Sequence, residues 1–235
     1  MKYSVIRVSI LISVFCYASL GAGLLPGTVY AEAQMTPAEL ELWFNDESEQ
    51  QASEVNEGDL VFLDKLPEKN VTHSSNRFSL SPTSLKDGWV TLNQCHQNLD
   101  AVSDAQVVYR YKQMRNLKVE SSQGIDRSWV EGASVQMKGI TKNASICISA
   151  EVHILYKNKD GTLSLRNGPY HRKFLDGYYP MRVTLDVMYP DELIELKKTS
   201  PVPGMGVKFS DKPGHARLDM IFEGKLMTEF RFKLK

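Results

Sequence analysis

The sequence predicts an all-β protein, mainly an antiparallel β-sandwich of the immunoglobulin-like or a similar type, with a short N-terminal helix. From Leu60 onward, apolar residues recur with a period of two, which is the spacing of a strand with one buried face. Between these runs we find no helical pattern of about ten to fifteen residues. Parallel strands need such crossovers, so the sheets are expected to be mainly antiparallel.

The composition is that of an ordinary globular chain. Of its 235 residues, 42% are apolar and 24% are charged, which excludes disordered, collagenous and coiled-coil proteins. The 28 Lys and Arg residues balance the 28 Asp and Glu residues. The chain therefore lacks the net positive charge that attracts nucleic acid, and no nucleic-acid partner is expected.

Residues 1–31 have the pattern of a secretory signal peptide. Lys2 and Arg7 precede an apolar run, which ends before Val29-Tyr30-Ala31. The alternative is an uncleaved anchor, because about 18 apolar residues could just span a bilayer. Cleavage would leave a nearly neutral chain without a membrane span. We expect an exported protein, periplasmic or secreted.

Residues 32–58 are predicted to form a short helix followed by an acidic linker. Thr36-Pro37-Ala38-Glu39 has the form of a capping box with proline at the first helical position, so a helix from Pro37 to about Phe44 should follow. The stretch 46–59 is acidic and has few apolar residues. It is interpreted as a solvated linker, with an acidic patch for a cationic partner as the alternative.

The clearest strand prediction covers residues 145–156, where apolar and polar side chains alternate strictly. Asp160-Gly161 predicts a hairpin into the next strand, and Glu223-Gly224-Lys225 predicts a second hairpin near the end of the chain. Together with the further candidates, ten or eleven strands are expected. These candidates are Leu60–Leu63, Trp89–Cys95, Gln106–Tyr111, Leu117–Ser121, Trp129–Met137, Met181–Tyr189 and Leu193–Lys198.

These strands are assigned to one β-sandwich domain over residues 59–235. Two immunoglobulin-like halves are the alternative, although the second half would be small for an independent sandwich.

The cysteines predict one disulfide. Cys16 leaves with the signal peptide, so Cys95 and Cys147 remain in a compartment that permits oxidation. Strand alternation places both on faces that point away from the core, which favours a bond within one sheet over a bond between sheets. A metal or redox site is the alternative because His96 adjoins Cys95, but there is no Cys-x-x-Cys.

Two short segments combine basic and aromatic residues, 109–118 and 170–174. If they converge, they would form an anion-binding surface, because an arginine fork matches a carboxylate or phosphate. The alternative is the wet face of an alternating strand, on which Arg110 and Lys112 would share one side. The candidate binding residues are Arg110, Lys112, Arg115, His171, Arg172 and Lys173.

No catalytic or cofactor fingerprint was found, and the five histidines show no metal-binding spacing, so no catalytic residue, cofactor or metal is predicted. The segment Gly177-Tyr178-Tyr179-Pro180 could form an aromatic platform or pack as a lid on the core. The sequence thus favours an exported, non-catalytic β-sandwich that binds or assembles with an envelope component, either a protein or an acidic polymer. The alternatives are a chaperone-like binder of a partner strand at an open sheet edge, and a metal-dependent hydrolase.

Overall fold

The computed structural model describes residues 56–66 and 70–235. Most of these residues lie in strands, which confirms the predicted all-β class. The strands are β1 (Val61–Phe62), β2 (His73–Ser79), β3 (Trp89–Leu99), β4 (Val102–Val108), β5 (Met114–Glu131), β6 (Ser134–His153), β7 (Leu155–Lys157), β8 (Leu163–Tyr170), β9 (Arg172–Phe174), β10 (Gly177–Tyr179), β11 (Met181–Met188), β12 (Ile194–Ser200), β13 (Val207–Lys212), β14 (His215–Glu223) and β15 (Leu226–Leu234).

A short helix, α1 (Ser84–Asp87), precedes β3. In the part of the chain described, no helix is long and apolar enough to cross a membrane. The predicted signal peptide, the helix from Pro37 and nearly all of the acidic linker lie outside the described residues.

The strands form a nine-stranded sheet, a four-stranded sheet and a two-stranded hairpin of β9 and β10. The large sheet has the order β1-β14-β11-β2-β3-β6-β4, with β13 beside β14 and β5 beside β6; the small sheet has the order β12-β15-β8-β7. The pairs are antiparallel, as predicted, except that β2 runs parallel to β11. This single parallel pair is compatible with the prediction of mainly antiparallel sheets, but β2 itself was not predicted.

Side chains from both larger sheets contribute to one hydrophobic core. Leu92, Ile148 and Leu218 come from the large sheet, and Leu165 and Phe230 come from the small sheet; each is no more than 2% exposed. Burying one such side chain stabilises the fold by roughly 1.5–3 kcal/mol. Alternation along β14, where every second residue is buried, shows why this sequence forms a strand with one core face.

The predicted hairpin at Asp160-Gly161 is confirmed as the connection between paired strands β7 and β8. The predicted hairpin at residues 223–225 is wrong, because β14 and β15 belong to different sheets. Each strand has one apolar face, and both faces contribute to the same core. The predicted alternation and turn are therefore correct. However, such a pattern does not specify whether the two strands pair edge to edge.

The predicted strands between residues 106 and 137 have the wrong bounds, although Leu117–Ser121 does lie within a strand. β4 ends at Val108, residues 117–121 belong to the longer β5, and β6 begins at Ser134. The predicted strand 129–137 therefore contains the turn at Gly132, where φ is +57°. This left-handed conformation suits glycine and reverses the chain direction. Missed strands bring the described total to fifteen rather than ten or eleven.

The predicted disulfide is present. Cys95 on β3 and Cys147 on β6 lie directly opposite each other in the register, with their Cα atoms 4.1 Å apart. The bond therefore joins neighbouring strands of one sheet, as strand alternation predicted. It is consistent with an exported protein, because disulfides persist in oxidising compartments.

Candidate functional site

A cavity of about 470 Å³ opens beside β3, β4 and β6, next to the chain that leads from β8 into β9. This volume is within the usual range of small-molecule sites. Its wall includes the apolar side chains of Val102 and Val107 on β4, Met137 and Ile140 on β6, and Met181 on β11. The cavity can therefore receive an apolar group.

Polar groups in the cavity wall bond to one another. The rings of Tyr109 and Tyr111 stack with their centroids 5.9 Å apart. The Tyr109 hydroxyl donates to Gln94 Oε1 at 2.7 Å, and the Tyr111 hydroxyl donates to Asn167 Oδ1 at 2.7 Å. Burial raises the pKa of both tyrosines well above the ordinary value, so they remain neutral. These hydroxyls hold the wall together.

His96 also lines the cavity. It follows Cys95 on β3 and has the opposite strand phase, so it lies on the side of Gln94. Although the residue as a whole keeps some exposed surface, its Nε2 atom is buried and makes no hydrogen bond within the described part of the chain. An unsatisfied buried polar atom costs about 1–3 kcal/mol. His96 is thus an exception to the bonded polar wall.

The His96 imidazole is neutral at physiological pH. The pKa of His96 is lowered from 6.5 to about 4. Burial is the larger cause, and the charge of the nearby His73 is the smaller one. A neutral imidazole can donate or accept one hydrogen bond at Nε2, depending on the tautomer.

The two basic-aromatic segments meet at the mouth of the cavity. Arg110 from the first segment lines it together with His171 and Lys173 from the second. Burial lowers the pKa of His171, and the charges of Arg110, Lys225 and Lys173 lower it further, so these groups are close enough to interact. Among the described residues, neither Arg110 nor Lys173 forms an ion pair. We call Arg110, His171 and Lys173 the cationic rim.

Arg172 lines the same cavity but is already paired. Its Nη2 and Nε donate to the Asp100 carboxylate at 2.6 and 3.0 Å, and its Nη1 donates to the Pro180 carbonyl at 3.1 Å. Its guanidinium also lies 5.4 Å from the ring centroid of Phe174. Arg172 therefore fixes the β9–β10 hairpin and is not free to bind an anion.

The other two candidates lie away from the cavity. Arg115 on β5 donates to Glu151 at 2.7 Å and lies 4.2 Å from the ring centroid of Trp89. Lys112 does not line the cavity. The prediction that Arg110 and Lys112 share a strand face is wrong, because β4 has ended and residues 109–113 form a connection. Four of the six candidates thus meet at one cavity, and two do not.

The β9–β10 hairpin carries the predicted aromatic segment. The Tyr178 ring lies 5.4 Å from Lys173 Nζ and 5.0 Å from Lys225 Nζ, while Tyr179 packs edge-on against Phe174 at 5.3 Å. Both tyrosines are half-buried. Their rings therefore pack within the hairpin and against lysines beside the cationic rim, rather than in the hydrophobic core.

A second set of charges lies on β11 and β14, and all of its members are paired. Arg182 binds the Asp219 carboxylate with two hydrogen bonds, of 2.5 and 2.8 Å. Asp186 accepts from His215 at 2.8 Å and from Arg217 at 2.8 Å. Burial alone would raise the pKa of Asp219, but the hydrogen bond and charge of Arg182 outweigh it and lower that pKa. We call these five residues the β11–β14 ion-pair cluster.

Within the described residues, no group of three or more His, Cys, Asp or Glu is placed to hold a metal ion.

Comparison with known proteins gives no family. No protein family and no curated protein matches this sequence. A solved structure with partial similarity is that of a mutant two-domain M1 zinc metallopeptidase bound to L-tryptophan, with 10% identity and a TM-score of 0.35. The match covers 75% of this chain and 44% of that chain, so this chain matches less than half of the peptidase. At that TM-score the similarity supports no statement about activity.

Proposed function

We propose that this chain is an exported, non-catalytic β-sandwich protein that binds an anionic component of the cell envelope at the mouth of its cavity. The observation that carries the proposal is the cationic rim, in which two separate basic-aromatic segments meet. Arg110 and Lys173 form no ion pair within the described residues. A concave site with unpaired cations attracts anions more strongly than a flat surface does.

The chemistry of the rim suits a carboxylate or a phosphate. A guanidinium can donate two parallel hydrogen bonds to either group, and a lysine adds a compact positive charge. Arg172 is already engaged by Asp100, so the binding role falls to Arg110 and Lys173. The Cys95–Cys147 disulfide supports the exported location, where envelope components are accessible.

A pull-down from the envelope fraction of the same cells tests this function. The bait is compared with Arg110→Ala/Lys173→Ala and with the matched control Lys208→Ala/Lys212→Ala, which removes two exposed charges on β13. We expect wild type and the control to recover the same component and the rim variant to lose it. Equal recovery by all three baits would contradict the proposal.

A partner-strand binder is the second candidate, because β5 pairs with β6 on one side and has no neighbour on the other within the described chain. Its pairing with β6 shifts register at three places, and Lys118 and Glu120 add charges. Bulges and charges are features that disfavour strand addition at a sheet edge. The pull-down separates the candidates, since a strand partner at β5 would still be recovered by the rim variant.

A further inference from the structure

Building on this proposed function, we propose that the cavity binds a single-chain anionic amphiphile. The apolar chain enters the cavity, and the acidic head group stays at the mouth with Arg110 and Lys173. A free fatty acid and an anionic monoacyl phospholipid share this chemistry.

The apolar wall and the cationic rim together match an amphiphile, which has both an apolar chain and an acidic head group. A small hydrophilic anion would contact the cationic rim but leave the apolar wall of Val102, Met137 and Ile140 unfilled. A neutral hydrocarbon would fill the wall but leave the two cations without a counter-charge. Methionine side chains such as Met137 adapt to irregular apolar shapes, which suits a flexible acyl chain.

His96 differs from the other polar groups that line the cavity. The hydroxyls of Tyr109 and Tyr111 are satisfied by protein groups, whereas His96 Nε2 is buried without a hydrogen bond in the described structure. Buried polar atoms in folded proteins are normally bonded. Because the His96 ring lines the cavity, a ligand that enters the cavity should change the surroundings of this ring.

Calorimetric titration of the exported protein with dodecanoate, below its micelle concentration, tests the proposal. We expect one-to-one binding to wild type. Two probes divide the molecule into its halves: dodecyltrimethylammonium keeps the chain and reverses the charge, and butyrate keeps the carboxylate and shortens the chain. Both should bind much more weakly than dodecanoate. Equal binding of either probe would overturn the assignment of an anionic amphiphile.

Substitutions then locate the binding site. Arg110→Ala/Lys173→Ala should weaken dodecanoate binding roughly tenfold, which corresponds to about 1.4 kcal/mol, since both charges are exposed. Ala105 lines the cavity, so Ala105→Phe should block it; Ala133→Phe, in the exposed turn between β5 and β6, is the matched control. Unchanged affinity in Ala105→Phe would place the ligand elsewhere.

If Ala105→Phe does not fold, a measurement on the wild-type protein still tests the proposal. Dodecanoate should shift the NMR signals of the His96 ring, which His96→Gln identifies. Binding that leaves these signals unchanged would overturn entry into the cavity.

Vesicles of phosphatidylglycerol distinguish a free amphiphile from a membrane surface. Binding to vesicles without binding to dodecanoate would overturn the inference. The proposed function would survive that result if the rim variant still lost its envelope component. Conversely, dodecanoate binding that Ala105→Phe abolishes, with equal pull-down by all baits, would retain the amphiphile site and reject the envelope partner.

Discussion

The β11–β14 ion-pair cluster and the cavity contain similar side chains in opposite states of pairing. In the cluster, Arg182 and Asp219 satisfy each other, and Asp186 accepts hydrogen bonds from both His215 and Arg217. At the cavity, Arg110 has no carboxylate partner among the described residues, and His96 Nε2 has no hydrogen bond there. The paired groups stabilise the sheet, whereas the exposed and unpaired Arg110 remains available to a ligand. Pairing thus separates structural positions from candidate binding positions.

Arg110 and Arg172 show the same contrast within a single site. Both line the cavity, but Arg172 is held by Asp100 and the Pro180 carbonyl. The two arginines share residue type and location, but their partners differ. Arg172 therefore has a structural role, whereas Arg110 is a candidate binding residue.

The largest expected effect on stability comes from removing the disulfide. Its Cys95 is next in sequence to His96, which lines the cavity. In the chain-entropy model, Cys95→Ser/Cys147→Ser should lower the free energy of unfolding by about 4 kcal/mol, because the bond closes a loop with a sequence separation of 52. Urea denaturation measures this loss. Free Cys95 and Cys147 thiols in the wild-type protein would show that the disulfide does not form.

The next effect is the pH dependence of stability caused by His96. Its pKa is about 4 in the folded protein and near 6.5 when unfolded, so between these values the unfolded state binds more protons. Its contribution is present above about pH 6.5 and is lost as the pH falls toward 4, by up to about 3 kcal/mol. Urea denaturation at several pH values should show a flatter slope for His96→Gln. The control His153→Gln retains His96 and should keep the wild-type slope.

A smaller effect is expected from the β11–β14 ion-pair cluster. Asp219→Asn removes the charge that Arg182 binds, and it should lower the free energy of unfolding by about 1–3 kcal/mol. The control Asp104→Asn breaks an exposed pair with Lys138, whose charged atoms are 3.7 Å apart, and should cost at most about 1 kcal/mol. Equal losses in urea denaturation would show that pairing in the cluster is not the cause.

The smallest effect on stability should come from the cationic rim. Arg110→Ala/Lys173→Ala should change the free energy of unfolding by no more than about 0.5 kcal/mol, because both residues are exposed. Arg172→Ala should cost more, since it leaves Asp100 without its bidentate partner. Thermal unfolding of the three proteins compares them. A rim variant as unstable as Arg172→Ala would assign the rim a structural role.

Strand alternation explains which parts of the fold could be predicted. Val90 and Leu92 point into the core and Cys95 points away, because successive side chains on a strand alternate. The missed strand β2 has no apolar alternation. Its inward residues include Ser74 and Asn76, which are fully buried and form hydrogen bonds there. Apolar periodicity cannot detect a strand whose buried side chains are polar.

The candidate site was predictable only in part, because it is made by tertiary structure. The basic-aromatic segments identified Arg110, His171 and Lys173, but the ion pair that engages Arg172 depends on Asp100, which lies far away in sequence. The signal for His96 was present in the sequence, since it shares the strand phase of the buried Leu92. That phase predicts a His96 ring that points to the same side as Leu92.

The parallel pairing of β2 with β11 has a consequence for the order in which the protein can be assembled. His73 pairs with Arg182, so one edge of β2 has no neighbour until most of the chain has been synthesised. Contacts this distant in sequence slow folding, because a long loop must close before they form. An open strand edge on an incomplete chain also invites aggregation. The arrival of β11 therefore covers this open edge of β2.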